Sequence, residues 1–238
     1  MLPSEPAAVL IFDLDGTILR VNSFPLWVRH LLFGRLSGMG PRRRAALSAQ
    51  TLLLLIRRKL GRMKHDELQR RLQLAWRSAV STYTDDNFVV ALLGHVRSNL
   101  QPLLDRAAAE RLDTVLATAA AAEYAEELGQ RLGFRDVLAT KSDRAVGEPS
   151  NSGVQKQRVV SRLLRERDWQ SRKLILFTDH SDDVPLMQLC NVVLWFGTQD
   201  ALAKAKTACG GTVLVYGRDM DSATLHATLR SLRAITAS

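Results

Sequence analysis

Val9-Leu10-Ile11-Phe12-Asp13-Leu14-Asp15-Gly16-Thr17 decides how this chain is read. Four consecutive apolar residues are the pattern of a strand buried on both faces of a parallel sheet, whose carboxyl end opens into the crevice where such sheets bind ligands. Two aspartates at that mouth, one residue apart, point the same way in extended backbone and can serve one metal or one phosphate. Gly16 permits a tight turn after them, and Thr17 adds a hydroxyl and an amide. Aspartates in such a place also serve as plain turn or helix-capping residues, so the rest of the chain has to separate the two readings.

A second cluster does so. Leu174-Ile175-Leu176-Phe177-Thr178-Asp179 repeats the buried-strand pattern and ends in an acid, followed by His180, Ser181, Asp182 and Asp183. If the two strands are parallel neighbours, Asp13, Asp15, Asp179 and Asp183 converge. Carboxylates that close raise one another's pKa unless a divalent cation neutralises them, and an all-oxygen shell suits Mg²⁺. Leu112 to Thr118 reads as a third buried strand with Thr118 at its end, before an Ala-rich helix starting near Ala120. Its hydroxyl is placed to hold a phosphate oxygen with help from helix amides, or to act as an ordinary N-cap. Lys156, opening a helix after Gly153, supplies a positive charge, or is a solvated surface lysine.

Together these elements resemble the haloacid dehalogenase superfamily, in its phosphatase branch with phosphoserine-phosphatase-like members and a helical cap. The family's Asp-x-Asp-x-Thr matches Asp13, Asp15 and Thr17; its strand-closing Thr or Ser matches Thr118; its helix-start lysine matches Lys156; its paired acids match Asp179 and Asp183. The resemblance implies a Mg²⁺-dependent phosphatase that hydrolyses a phosphate monoester through an aspartyl-phosphate on Asp13, with Asp15 as general acid and then base. It implies that Mg²⁺ is held by the Asp13 carboxylate, the Asp15 carbonyl and Asp179, and that Thr118 and Lys156 bind the phosphate. Asp183 would reach the metal through water or orient Lys156. Dehalogenase members lack the acid at Asp15, and transport ATPases carry Thr there. The sequence departs from the pattern at His180, where Ser or Gly is usual, and at Asp182. Asn22 stands where phosphoserine phosphatases carry a glutamate that recognises the substrate ammonium.

The remaining pattern fits an α/β fold: a doubly wound, Rossmann-like parallel sheet with an inserted all-helical cap. Residues 1–20 and 98–238 are expected to form the catalytic core and 21–97 the cap. Helices are expected over 87–110, 120–132, 155–167, 182–189 and from Asp219, and further strands over 136–140, 192–196 and 212–216, with 141–153 a loop. A Gly-rich stretch from Gly34 to Pro41 is expected to separate two cap helices.

Charge is uneven. Residues 20–100 hold 15 Lys or Arg against 4 Asp or Glu, a net of +11, while the whole chain of 238 residues carries +9. That basic excess is either a solvated helical surface or an attractor of polyanions and anionic membranes. Leu52 to Ile56 runs into Arg57-Arg58-Lys59, so an apolar patch adjoins a basic one unless the leucines are buried in a cap bundle. A phospholipid-headgroup phosphatase at a membrane surface, and a non-catalytic anion-binding protein on the same fold, are the alternatives. A phosphoaccepting receiver is about half this length and lacks an insertion after its first strand. No GxxxxGK[ST], GxGxxG or HExxH segment is present, and the cap lacks interleaved aromatics, so no nucleic-acid partner is expected. Cys190 and Cys209 lack metal-ligand spacing and are expected to be buried free thiols. The first residues do not read as a signal peptide, and a cytoplasmic protein acting on a small phosphorylated substrate is expected.

Overall fold

The structure, a computed structural model, describes residues 8–34, 39–79, 86–209 and 212–235, with the side chains of 86 and 230–235 excepted. Six strands form one parallel sheet: β1 (Val9–Phe12), β2 (Thr114–Ala121), β3 (Asp136–Thr140), β4 (Leu174–Thr178), β5 (Val192–Trp195) and β6 (Val213–Tyr216). Their order is β3-β2-β1-β4-β5-β6, so the chain reverses direction across the sheet between β1 and β4. That reversal opens the crevice between the loops that follow these two strands. The first and fourth strands are the two that end in aspartates, and they are direct neighbours, with Phe12 beside Phe177.

Alternate residues of each strand feed two cores. Leu10, Phe12, Leu116, Ile175, Phe177 and Leu194 face one side; Val9, Ile11, Val115, Leu176, Val193 and Trp195 face the other. The second face is covered by α7 (Gly153–Glu166), a short 3₁₀ turn at Ser181–Asp183 running into α8 (Val184–Met187), and α9 (Gln199–Ala208). The first face packs against α5 (Gln101–Ala109), α6 (Ala122–Arg131) and α10 (Ser222–Ile235), and continues without a break into the insertion after β1. Both cysteines are buried and free, as expected.

That insertion holds α1 (Ser23–Phe33), α2 (Pro41–Lys59), α3 (His65–Ala79) and α4 (Asp86–Leu93). Asn22 caps α1 through its side chain, accepting from Phe24 N at 3.0 Å. Pro41 opens α2, consistent with a break before it, although residues 35–38 of the expected linker lie outside the described residues. The helix expected over 87–110 is two helices. Gly94 follows the first, Pro102 lies in the opening turn of the second, and residues 95–97 between them bond the chain leaving β1, with Arg20 N to His95 O at 3.0 Å and Arg97 N to Ile18 O at 2.8 Å. The entry and exit of the insertion are therefore stitched together.

β2 also differs from expectation: it runs three residues past Thr118, with a register irregularity between Ala117 and Ala121. Side chains satisfy the backbone that the irregularity removes from the ladder. Thr118 Oγ1 accepts from Ala120 N at 3.0 Å, Gln69 Nε2 and Thr140 Oγ1 donate to Ala119 O, and Asn151 Nδ2 donates to Thr118 O at 3.2 Å. Ala121, not Thr118, is the N-cap of α6.

The central strands are joined by aromatic packing. Phe12 stacks on Phe177 with centroids 4.0 Å apart and meets Phe134 edge-on at 5.4 Å. Phe12→Ala is expected to cost about 3–5 kcal/mol, because the cavity lies at the middle of the sheet where neighbours cannot collapse. Urea denaturation measures it; a loss below about 1 kcal/mol would contradict this packing.

Candidate active site

Asp13 leaves β1 still in the ladder, its N–H donating to Phe177 O at 2.9 Å. The turn after it closes with Leu19 N donating to Leu14 O at 2.9 Å. Gly16 sits in that turn at φ +74°, and a Cβ there would lie 1.9 Å from Asp179 Oδ2. Only glycine lets the β1 turn approach the acid at the end of β4 so closely. Arg97, from the segment that stitches the insertion shut, donates to Thr17 O and Gly16 O, both at 2.8 Å, and lies over the Phe196 ring. The turn is thus fixed from outside by a guanidinium held on an aromatic face.

Lys156, in the first turn of α7, is the hub of the site. Its Nζ lies 2.8 Å from Asp13 Oδ1 and 2.7 Å from Asp183 Oδ1, and it is almost fully buried. Asp183 Oδ2 accepts from Thr178 Oγ1 at 2.6 Å, so both of its oxygens are engaged by protein groups. Burial disfavours the Lys156 ammonium, yet the Asp13 and Asp183 carboxylates outweigh it and hold the pKa above the ordinary lysine value. Asp13 is pushed the other way: burial, opposed by Lys156 and aided by Asp183, raises its carboxyl to about 7. Burial likewise raises Asp179 above the usual carboxylate range.

Asp15 points toward the insertion. Ser23, the first residue of α1, donates to it twice, from N to Oδ1 at 2.8 Å and from Oγ to Oδ2 at 3.0 Å. Ser23 Oγ in turn lies 2.8 Å from the buried hydroxyl of Tyr124, on α6. Burial raises the Asp15 pKa, and the two Ser23 bonds moderate the rise by favouring the carboxylate. Tyr124 also receives Trp27 and Phe88 at ring separations of 5.5 and 5.2 Å, so the same residue orients Asp15 and carries the inserted helices.

These groups line a cavity of about 360 Å³ containing Asp13, Asp15, Thr118, Lys156, Asp179 and Asp183. The sequence-derived constellation is therefore one site. Thr118 is buried, and its Oγ1 also steadies its own bulge. His180 and Asp182 are exposed at the rim; His180 caps the 3₁₀ turn by accepting from Asp182 N at 3.2 Å. Asn22 lines the mouth but spends its carbonyl on capping α1. Ser23, Tyr124, Thr178 and Arg97 were not singled out by sequence reasoning. The serine after Asn22 at a helix start was the one visible signal, since such positions favour capping side chains.

Five aspartates line the cavity against the cations Lys156 and Arg20. That surplus of hard oxygen donors, with Asp13 and Asp179 both pushed up by burial, fits a small divalent cation and repels a phosphate without one. Among the described residues, no three His, Cys, Asp or Glu side chains are grouped to hold an ion by themselves. An ion held by Asp13 and Asp179 would need its shell completed by further oxygens, from the backbone or from outside the chain.

Acids and a buried lysine thus converge at the switch point of a doubly wound sheet. Residues 10–188 match the family model of haloacid dehalogenase-like hydrolases, and the chain belongs to that family. Among solved structures, it is similar to a protein of unknown function from Bordetella pertussis Tohama I, with a TM-score of 0.60 and 14% identity over 89% of this chain and 99% of that one. It is also similar to a probable phosphoserine phosphatase from Vibrio cholerae, with a TM-score of 0.56 and 12% identity over 89% of this chain and 60% of that one. A substrate-bound phosphoserine phosphatase matches with a TM-score of 0.53 and 9% identity over 96% of this chain and 99% of that one. At these identities the likeness is one of fold. No curated protein matches the chain.

Lys156→Met is expected to destabilise the metal-free protein by about 3–5 kcal/mol by stranding buried carboxylates. Without the ammonium, the Asp13 pKa rises above its present value of about 7. A carboxyl that keeps its proton in the folded chain after the unfolded chain has lost it makes stability fall as pH rises through that window. The loss should therefore be greater at about pH 8 than at about pH 5 in urea titrations. Equal losses would show that the two residues are not coupled.

Proposed function

We propose that the protein is a Mg²⁺-dependent phosphatase acting on a small phosphate monoester through an aspartyl-phosphate on Asp13. The observation that carries this is Lys156, held between Asp13 and Asp183 at the mouth of β1 and β4. It fixes Asp13 in a single orientation toward the cavity and keeps a cation beside the place where phosphate oxygens would gather. Such preorganised charge is the main source of catalysis in phosphoryl transfer.

In the first step an Asp13 oxygen attacks phosphorus, the bond to the ester oxygen breaks, and Asp15 gives its proton to the departing alcohol. In the second, Asp15 takes a proton from water, whose oxygen attacks phosphorus and returns Asp13 and inorganic phosphate. The raised pKa of Asp15 suits the first role, and the Ser23 bonds, which favour its carboxylate, suit the second. Thr118 and Lys156 bind the equatorial oxygens. Bound Mg²⁺ would screen the repulsion between the Asp13 carboxylate and the phosphate. Asp183 acts here by orienting Lys156, the role that its bonds to Lys156 and Thr178 favour. Residues 21–97 would serve as the cap, excluding water and selecting the substrate.

Hydrolysis of an aryl phosphate by purified protein is expected to require Mg²⁺, to vanish with chelator and to be lost in Asp13→Asn. Activity that survives the substitution would overturn the nucleophile assignment. Asp15→Asn should lower kcat by about 10²–10⁴, as expected for loss of a general acid and base. Ser23→Ala removes a bond that favours the Asp15 carboxylate, so Asp15 keeps its proton to higher pH. The alkaline limb of kcat/KM should therefore move upward in pH; an unmoved limb would mean that another group donates the proton.

A further inference from the structure

Helix α2 is apolar on two opposite sides. Its inner side buries Leu47, Thr51 and Leu54 against the neighbouring helices. At 3.6 residues per turn, Ala45, Ala49, Leu52, Leu53, Ile56 and the capping Leu60 fall on the opposite side. There Leu52 and Leu53 are each 53% exposed, Ile56 47% and Leu60 60%. Of the run from Leu52 to Ile56, Leu54 is buried and Leu55 half-buried against the core, as a cap bundle would have them, while Leu52, Leu53 and Ile56 are exposed.

The borders of this stripe are basic. Arg57 follows one edge and Lys59 the other, and Arg42 stands on the stripe at its start, all exposed. From Gly16 to His65 the sequence contains no Asp or Glu, so no acid relieves that charge locally. A row of large exposed apolar side chains marks a contact surface. A second copy of the same stripe is a poor partner, since a two-fold pairing would set arginines against arginines with no carboxylate between them. An anionic lipid surface answers both features, with acyl chains for the leucines and phosphates for the arginines.

We propose that α2 docks the protein on anionic membranes, lying in the plane of the interface with Leu52, Leu53, Ile56 and Leu60 below the headgroups and Arg42, Arg57 and Lys59 among the lipid phosphates. None of these residues lines the catalytic cavity, so the inference stands apart from the phosphatase reading. The geometry is that of an amphipathic helix whose polar border, not its polar face, carries the charge, because the inner side is already committed to the protein.

Sedimentation of the full chain with vesicles of phosphatidylcholine, alone or mixed with phosphatidylglycerol, tests it. The protein is expected to pellet with the mixed vesicles and much less with phosphatidylcholine, and to be released by salt. Leu53→Glu with Ile56→Glu, both exposed, should weaken binding roughly tenfold or more while leaving the circular dichroism spectrum and the midpoint of urea unfolding unchanged. Arg42→Glu with Arg57→Glu should also weaken it. Equal binding to both vesicle types, or binding unaffected by the leucine and isoleucine substitutions, would overturn the proposal. So would a dimer in sedimentation velocity that dissociates in the Leu53→Glu, Ile56→Glu protein, which would give the stripe to a second copy of the chain.

Discussion

One buried ammonium organises this protein. Lys156 lies at 2.8 Å from Asp13 and 2.7 Å from Asp183, joining residues at the ends of β1 and β4 through the first turn of α7. Without that cation, the acids gathered at these ends would repel in a desolvated crevice. With it, the Asp13 carboxylate is aimed, Asp183 is locked to Thr178, and a concentration of negative charge is left that suits a divalent cation. The arrangement is expensive for stability and useful for chemistry, as expected of strained electrostatics at a functional site.

The inserted helices are coupled to the same centre by polar side chains reaching the end of the sheet. Gln73 donates to Thr140 O and to Glu123 Oε2, both at 2.6 Å, and accepts from Arg144 at 2.9 Å; Arg144 also bonds Asp66 O at 2.8 Å. Together with Gln69 on Ala119, these bonds run from α3 to the residues flanking the bulge at Thr118. On the other side, Ser23 links α1 to Asp15. A shift of the insertion would thus disturb both the end of β2 at Thr118 and the carboxylate of Asp15, the two places that the proposed reaction uses for phosphate and proton.

The sheet was legible because its strands are buried on both faces and read as continuous apolar runs, as in 9–12 and 174–178. The convergence of Asp13, Asp15, Asp179 and Asp183 followed from strand-end logic once β1 and β4 were taken as neighbours, whereas Thr118 and Lys156, each open to an ordinary local reading, joined them only through the family resemblance. Three things were not legible. The break at Gly94 depends on pairing between residues 18–20 and 95–97, far apart in sequence. The extension of β2 depends on Gln69, Thr140 and Asn151 reaching its backbone. The support of Asp15 by Ser23 and Tyr124 depends on where α1 and α6 meet. Each rests on a tertiary contact, to which Gly94, Pro102 and the Asn22-Ser23 pair give only weak local signals, and the outward exposure of Leu52 and Leu53 on α2 belongs with them, since an unbroken leucine run has no preferred side.

The central claim is that Asp13 is the residue that takes the phosphoryl group. Borohydride reduces an acyl phosphate to an alcohol and leaves a free carboxylate untouched. Protein quenched during turnover of a phosphate ester and treated with borohydride, then digested and sequenced by mass spectrometry, should carry homoserine at position 13 and aspartate at 15, 179 and 183. Homoserine at another aspartate, or unmodified Asp13 in protein that releases a burst of alcohol before steady state, would contradict the account.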